Sequence, residues 1–330
     1  VDNMMTAEKV LYFFCIATIA IAIFFAHSGI LVGAGYSAKI VCSSVFTGER
    51  DFDQVIADDI GLPIPVYSIT KEGNTITSSS LFGLIERKAT FHPNRKSCTL
   101  HAPHEDTTIW DTISYQQKPL STKSENLSWP IGENVSSSKL STKINEENLN
   151  KILEAAFDEP SSKETGIQRN TRAVVILYDG EIVAERYADG FSSSTPIIGW
   201  SMTKSIISTL IGARIQDGKM SLQDSNLFSA WESDARSEIT LDQLLRASSG
   251  LEFNESNDPW SDTSTMLFRS SDYVDYAVNK PLQHKPDTVW SYSSGTTNLL
   301  SQLLRESFAN DGGDAAYWNF AVDFFRKLDM

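Results

Sequence analysis

The sequence predicts a mixed α/β (α+β) protein: a small β-containing region and a β-hairpin ahead of a largely helical C-terminal part, preceded by a membrane-spanning N-terminal helix. Three observations carry that expectation. Val10 to Ala26 is almost wholly apolar, two β-rich runs flank Asp179-Gly180, and from Ser221 onward the apolar spacing and capping signals are helical.

The N-terminal element comes first. Its apolar character resumes after His27-Ser28 through Ile30-Leu31-Val32-Gly33-Ala34, which brings the run to the ~20 residues a bilayer span needs. An uncleaved signal-anchor over residues 1–38 is the first reading, and a cleaved signal peptide the second, because no clean small-x-small site follows the apolar core. Lys9, Lys39 and Arg50 are too few to orient the helix. Gly33-Ala34-Gly35 lies against the span and not after a strand, so it does not suggest a dinucleotide loop.

Residues 39–105 form a small β-containing region, with short apolar runs between Ile76 and Phe91 and a turn at Pro93-Asn94. His92, His101 and His104 lie there, but His101-Ala102-Pro103-His104 lacks carboxylate or cysteine partners and reads as a surface loop. No metal is expected. Residues 106–145, rich in Ser, Thr, Lys and Asn, read as a polar linker that holds two sequons, at Asn126 and Asn134. The remaining domain spans 146–330. A helix over Glu146–Phe157 precedes a hairpin whose first strand, Arg172–Tyr178, is so apolar that it is expected to be buried and central. A capping box at Thr240-Leu241-Asp242-Gln243 opens a short helix, and further helices are expected at about 271–279, 296–308 and 314–328.

Composition narrows the function. The chain has 330 residues, 41% hydrophobic and 21% charged, as in a globular protein, and its net charge of −14 with no basic aromatic-interleaved stripe excludes a nucleic-acid surface. Three cysteines are too few for a disulfide scaffold. Cys42 and Cys98 either pair, if their segment faces an oxidising compartment, or are two buried thiols.

Ser-x-x-Lys occurs three times, at Ser68/Lys71, Ser136/Lys139 and Ser201/Lys204. The first lies beside a Glu72-Gly73-Asn74 turn and the second in a Ser-rich run. Only the third opens an amphipathic helix, with Met202, Ile206, Leu210, Ile211 and Ile215 at helical spacing and Gly218 as its stop. Three residues apart on a helix, the Ser201 hydroxyl and the Lys204 ammonium can meet, and the helix N-terminus favours a developing oxyanion. That is the arrangement of an activated nucleophile. Tyr292 and Ser294 sit on a loop between a Pro286-Asp287 turn and a Gly295-started helix.

Together these residues resemble the penicillin-recognising serine hydrolases: class C β-lactamases, D-alanyl-D-alanine carboxypeptidases and their esterase relatives. Ser201-Met202-Thr203-Lys204 matches the nucleophile motif, and Tyr292-Ser293-Ser294 matches Tyr-x-Asn with serine in place of asparagine. Gly199–Ser205, Leu244–Phe253 and Trp290–Asn298 are similar to the 6-aminohexanoate-dimer hydrolase branch, and Lys39–Phe46 to the leader of membrane-anchored bacterial members. The likeness runs over roughly 150–330.

The resemblance implies a β-lactamase/DD-peptidase-like fold, an antiparallel sheet flanked by helices with a helical subdomain, incomplete at its C-terminus because the family's third motif (Lys-Thr-Gly or His-x-Gly) has no counterpart. The chain, which also starts without methionine, reads as a fragment. It implies that Ser201 attacks a small-molecule amide or ester, that Tyr292 takes and returns its proton, and that Lys204 supplies the positive charge that lets a phenol act as base. Ser294 contacts substrate or Lys204, while Trp200 and Trp260 contact substrate, Trp260 filling the volume of the branch's second tyrosine. No cofactor is implied. The catalytic portion is expected in the periplasm or outside the cell, which favours the Cys42–Cys98 pair. The competing readings are a catalytically silent membrane-anchored scaffold and a true β-lactamase, the latter weakened by Ser294.

Overall fold

The computed structural model describes residues 7–60, 67–94, 96–101, 129, 144–158, 169–256 and 258–327; in the first helix, side chains are described at Tyr12 and from Ala26 onward. Ser136, Lys139, both sequons, His104 and most of the polar linker lie outside the described residues. The chain divides into two compact units, residues 1–114 with 198–317 and residues 115–197 with 318–330.

In the first unit, helix α1 (Ala7–Cys42) runs unbroken for 36 residues and continues into a π-helical turn, Ser43–Thr47. Helix α2 (Phe52–Asp59) follows, its N-cap Asp51 accepting from the Gln54 N–H at 3.0 Å. A four-stranded antiparallel meander comes next: β1 (Ser68–Glu72), β2 (Thr75–Ser80), β3 (Ile85–His92) and β4 (Ser97–Leu100), in that spatial order. Ser68 and Lys71 lie on β1, where an odd spacing places them on opposite faces. That Ser-x-x-Lys therefore cannot form a site.

The second half of α1 is the core of this sheet. Ala34, Ala38, Val41 and Cys42 are fully buried, and Ile76 and Ala89 meet them from β2 and β3. Burying each larger aliphatic side chain stabilises by about 1.5–3 kcal/mol. Close approach is set by glycine: a Cβ at Gly33 would lie 2.1 Å from the Tyr67 hydroxyl, and one at Gly35 2.9 Å from the Phe268 carbonyl oxygen. A disulfide joins Cys42 to Cys98 across 56 residues, a loop whose closure restricts the unfolded chain by about 4 kcal/mol.

The apolar N-terminal stretch and the β-containing region are thus joined by one continuous helix. Among the described residues, Ala26–Thr47 is long and apolar enough to cross a membrane, yet 56% of that window is buried inside the protein. The Ile30–Ala34 run, counted above as the end of the span, is therefore sheet-covering helix. Composition alone does not separate lipid from protein as the apolar neighbour.

Polar contacts fix the direction of α1. Gly35 lies beside Leu100, Lys39 donates to the Cys98 carbonyl, Cys42 is bonded to Cys98, and Thr47 Oγ1 donates to the Lys96 carbonyl at 3.2 Å. So α1 runs antiparallel to β4, and its N-terminal half leaves at the end of the sheet where β2 turns into β3. That connection, Leu81–Gly83, carries positive φ at Leu81 (49°) and Phe82 (58°), each costing about 1–2 kcal/mol for a side-chain-bearing residue.

The rest of the first unit is helical: α4 (Met202–Gln216), α5 (Leu241–Leu245), α6 (Asp262–Arg269), α7 (Tyr273–Val278) and α8 (Ser294–Glu306). The Thr240/Gln243 capping box is formed in both directions. α4 packs on α8 through Ile207, Leu210, Ile211 and Arg214, whereas Met202, expected on the apolar face, is exposed. Arg214 is 4% exposed; it donates to Asp311 at 2.9 Å and to the Ser307 carbonyl at 2.6 Å.

Asp262 ties the segment before α6 in place. Its carboxylate accepts from the Asn254 N–H at 2.8 Å, from the Tyr276 hydroxyl at 2.6 Å and from Lys280. Burial alone would raise this carboxyl, but the Asn254 N–H, Lys280 and Tyr276 outweigh it and hold it below the ordinary carboxylate range. A lowered folded-state value means the carboxylate's contribution is complete above the unfolded value of 3.8 and is lost as pH falls through the folded one. Urea unfolding between pH 6 and pH 3 is expected to show a steeper acid loss of stability for the parent than for Asp262→Asn, which starts lower and stays flatter.

In the second unit, α3 (Glu146–Phe157) begins at the N-cap Asn145, and β5 (Ala173–Tyr178) and β6 (Glu181–Tyr187) form a two-stranded hairpin. Its turn residues Asp179 and Gly180 have φ of 54° and 80°, as a two-residue hairpin turn requires. Arg186 of β6 lies over the Phe157 ring, 4.8 Å from its centroid. The expectation of a buried central strand is corrected: among the described residues β5 pairs only with β6, and Val175, Leu177 and Tyr178 are exposed. An apolar run reports a strand's tendency to be covered, and pairing covers one edge only. The final helix, α9 (Gly313–Arg326), begins in the first unit, where Tyr317 packs on Phe308.

Candidate active site

The start of α4 is a tight turn. Gly199, Trp200 and Ser201 each offer their carbonyl to the N–H three residues on, at 2.9, 3.1 and 3.1 Å. Trp200 has φ of 44°, a left-handed conformation that a bulky residue adopts only when its surroundings hold it. What holds it is Tyr36 of α1, stacked on the indole at 6.4 Å between centroids, with Phe268 edge-on to Tyr36. Ser201 occupies the N-cap position, yet its hydroxyl caps nothing. Its backbone N–H donates to no group among the described residues. Among the described residues, neither the Ser201 hydroxyl nor its N–H is spent on capping this strained corner.

Lys204, one turn into the helix, donates to Ser201 Oγ at 3.2 Å and to Ser294 Oγ at 3.1 Å. It also lies over the face of Tyr292, 4.7 Å from the ring centroid. Four of the residues singled out from the sequence thus meet around one ammonium. The phenol does so by its ring: among the described residues the Tyr292 hydroxyl makes no hydrogen bond, and the ring leans on Trp290 at 6.4 Å.

Tyr292 and Ser294 are delivered by two interlocked loops. Ser291 N–H donates to the Ala247 carbonyl at 2.8 Å, and Asp287 N–H to the Ser248 carbonyl at 2.9 Å. Asp287 accepts from Gln243 at 2.8 Å and Arg246 at 2.7 Å, and these bonds hold its carboxyl below the usual range. α8 then starts hard against residue 253: a Cβ on Gly295 would lie 2.6 Å from the Phe253 ring. Only glycine permits that approach, and the approach is what brings Glu255 to Ser294.

Glu255 is the site residue that sequence reasoning missed. Its carboxylate accepts from the Ser294 N–H at 2.7 Å and the Ser294 hydroxyl at 2.5 Å. Because the hydroxyl proton goes to Glu255, the oxygen lone pairs of Ser294 face Lys204, which fixes the direction of the ammonium. The one signal in the sequence is indirect: α8 has no acidic residue in its own first turn, so its partial positive charge calls for an anion from elsewhere.

Two residues are drawn elsewhere. Trp260 packs against α1 near Gly29, and Trp200 against Tyr36. Seven residues apart, these two contact points lie on one face of α1, about 10 Å along it. Neither indole joins the Ser201–Lys204–Ser294 hydrogen bonds, though each keeps about half its surface open, at 52% and 55%. Beside Lys204 and Tyr292 opens a cavity of about 470 Å³, lined also by Leu244, Trp290, Thr296 and Leu300. Cys42 and Cys98, the remaining pair, are bonded.

Residues 156–316 match the Beta-lactamase family model. Among the described residues that span holds the β5–β6 hairpin and helices α4 to α8, and the family is typically one of serine hydrolases. Among solved structures, "Putative 6-aminohexanoate-dimer hydrolase from Bacillus anthracis" is similar at 18% identity with a TM-score of 0.38, over 49% of this chain and 43% of that one. The chain thus spans less than half the length of that structure. A search of the curated proteins returned no match.

Proposed function

We propose that the protein is a serine hydrolase that cleaves a small-molecule amide or ester through an acyl-enzyme on Ser201. The observation that carries this reading is the contact of Lys204 Nζ with Ser201 Oγ at 3.2 Å, made by a serine whose hydroxyl and N–H have no structural duty. The Ser201 oxygen attacks the carbonyl carbon. The Ser201 N–H, at the positive end of α4, receives the oxyanion, a donor of a kind worth roughly 3–4 kcal/mol in the transition state. The serine proton passes to the Tyr292 oxygen and from there to the leaving amine or alcohol, and water then releases the acyl group by the reverse order of transfers. Lys204 supplies the positive charge beside Tyr292 and holds Ser201.

The amide or ester substrate class follows from the likeness of Gly199–Ser205, Leu244–Phe253 and Trp290–Asn298 to 6-aminohexanoate-dimer hydrolases. Trp200 and Trp260, each half open on one face of α1, are the proposed apolar contacts for it. The residues preceding the sheet-covering part of α1 anchor the protein in a membrane. A disulfide just beyond that anchor favours an oxidising compartment, so the catalytic portion faces the periplasm or the exterior. The test is hydrolysis of p-nitrophenyl acetate by the full-length protein and its Ser201→Ala variant; equal rates would end the proposal.

Glu255 acts on this chemistry at one remove, as a positioning residue. Glu255→Gln keeps the shape but offers an amide N–H₂ where two donors of Ser294 now converge. kcat is expected to fall about tenfold with KM little changed and the acid limb of the pH–rate profile displaced. A variant whose melting temperature drops while kcat and the profile stay put would show the carboxylate to be only a helix cap.

A further inference from the structure

We propose that the β2–β3 tip, Leu81-Phe82-Gly83-Leu84, is a second membrane contact, inserted into the bilayer beside the N-terminal half of α1. The proposal rests on the membrane anchor suggested above and not on the hydrolase chemistry.

The tip is unlike the rest of the sheet. Phe82 is 109% exposed and Leu84 84%, with Leu81 at 48%, so three large apolar side chains stand in water at one hairpin end. The two adjoining residues of the strands, Ser80 and Ile85, are buried. Packing therefore does not require the apolar tip. Nor does turn chemistry: Leu81 and Phe82 both take positive φ, which Gly or Asn would adopt with less strain. Apolar side chains held out on a strained backbone, with nothing among the described residues to cover them, point to a partner outside the protein.

The position of the tip identifies that partner. Leu100 pairs with Ala89, and Gly35 of α1 lies beside Leu100. From Ala89 to Ile85, β3 advances about 13 Å toward the tip. The same rise along α1, at about 1.5 Å per residue, leads from Gly35 back by about nine residues, to Ala26. This is where α1 passes from buried to exposed, since Ala26 and His27 are open and Ser28 is buried. The helix continues from there to Ala7, long enough at about 30 Å to cross a hydrocarbon core. A bilayer spanned by that half begins at the level of the tip.

Charge does not oppose insertion. Of the charged residues on the adjoining strands, Glu86 is paired with Lys88 at 3.0 Å, and Arg87 is buried and bonded to the His101 carbonyl at 2.8 Å. A phenylalanine and two leucines at the interface are the side chains that partition there, and two membrane contacts hold a protein in a fixed orientation where one helix leaves it free to rotate.

The test uses the full-length protein in phosphatidylcholine/phosphatidylglycerol vesicles, in a Cys15→Ser background. An environment-sensitive NBD probe is placed at Phe82→Cys, at Tyr12→Cys inside the span, and at Asn74→Cys at the opposite end of the sheet. The expected result is blue-shifted emission at 82 and 12, quenching of both by chain-brominated lipid, and about threefold weaker iodide quenching at 82 than at 74. If 12 is shielded while 82 is as open to iodide as 74, the tip proposal fails and the anchor stands. If 12 is as open as 74, the anchor and the tip proposal fail together. Neither failure touches p-nitrophenyl acetate hydrolysis, which is read separately. Phe82 makes no buried contact, and the intact Cys42–Cys98 bond reports that each variant is folded.

Discussion

Ser201→Ala is expected to lower the turnover of p-nitrophenyl acetate by at least about a thousandfold. The size follows from what the residue does and does not do. Its hydroxyl caps no helix and, among the described residues, bonds only to Lys204, so its removal leaves the turn, the Trp200–Tyr36 stack and the α4–α8 packing intact. Unfolding should be unchanged, and the whole loss should fall on kcat. What survives is the contribution of the free N–H and of substrate binding. Mass spectrometry of the parent protein caught early in turnover should show one acyl group on the peptide containing Ser201, absent from the variant. The same assay separates an esterase or amidase from a β-lactamase. Ser294 offers one hydroxyl, and that hydroxyl is already committed between Lys204 and Glu255, so nothing there presents an amide to a β-lactam. Nitrocefin turnover should therefore fall below ester turnover; the reverse order would favour the β-lactamase reading.

Local chemistry made much of this legible in the sequence. The Asp179-Gly180 turn, the Thr240/Gln243 capping box and the Glu146–Phe157 helix are each specified by residues within a few positions of one another, and each is where the residue pattern put it. Lys204 reaching Ser201 is likewise a property of one helical turn. What was hidden depends on partners far along the chain. Glu255 meets Ser294 across 39 residues, and no periodicity announces such a pair. Helix α6 was missed because Ser261-Asp262-Thr263-Ser264-Thr265 reads as a polar loop; only Met266 and Phe268 are apolar and buried, and the Ser261 cap shows its purpose once the Ser264 N–H is placed on it. The α2 helix was hidden for a similar reason, with Val55 its single buried residue. The covering of β5 and the extent of α1 inside the protein were misjudged because hydrophobicity gives the need for an apolar neighbour without naming it.

The orientation of Tyr292 is another feature of the site that neither spacing nor family likeness specified, and it makes Tyr292→Phe unusually clean. Lys204 touches the ring face at 4.7 Å from its centroid, and the ring packs beside Trp290. Phenylalanine keeps both contacts, since the face of a benzene ring attracts a cation nearly as a phenol's does. Only the hydroxyl is lost, and among the described residues that hydroxyl has no structural bond to break. If the phenol oxygen swings to Ser201 when substrate arrives and takes its proton, kcat should fall by about 10²–10⁴ with the melting temperature unchanged. A loss smaller than about threefold would mean the tyrosine is a platform for the ammonium, and the base would then have to be Lys204 itself. The two cases differ in a second readout. With a phenol base, Lys204→Arg keeps the positive charge and should retain part of the activity. With a lysine base the guanidinium, which does not give up its proton in proteins, should leave none.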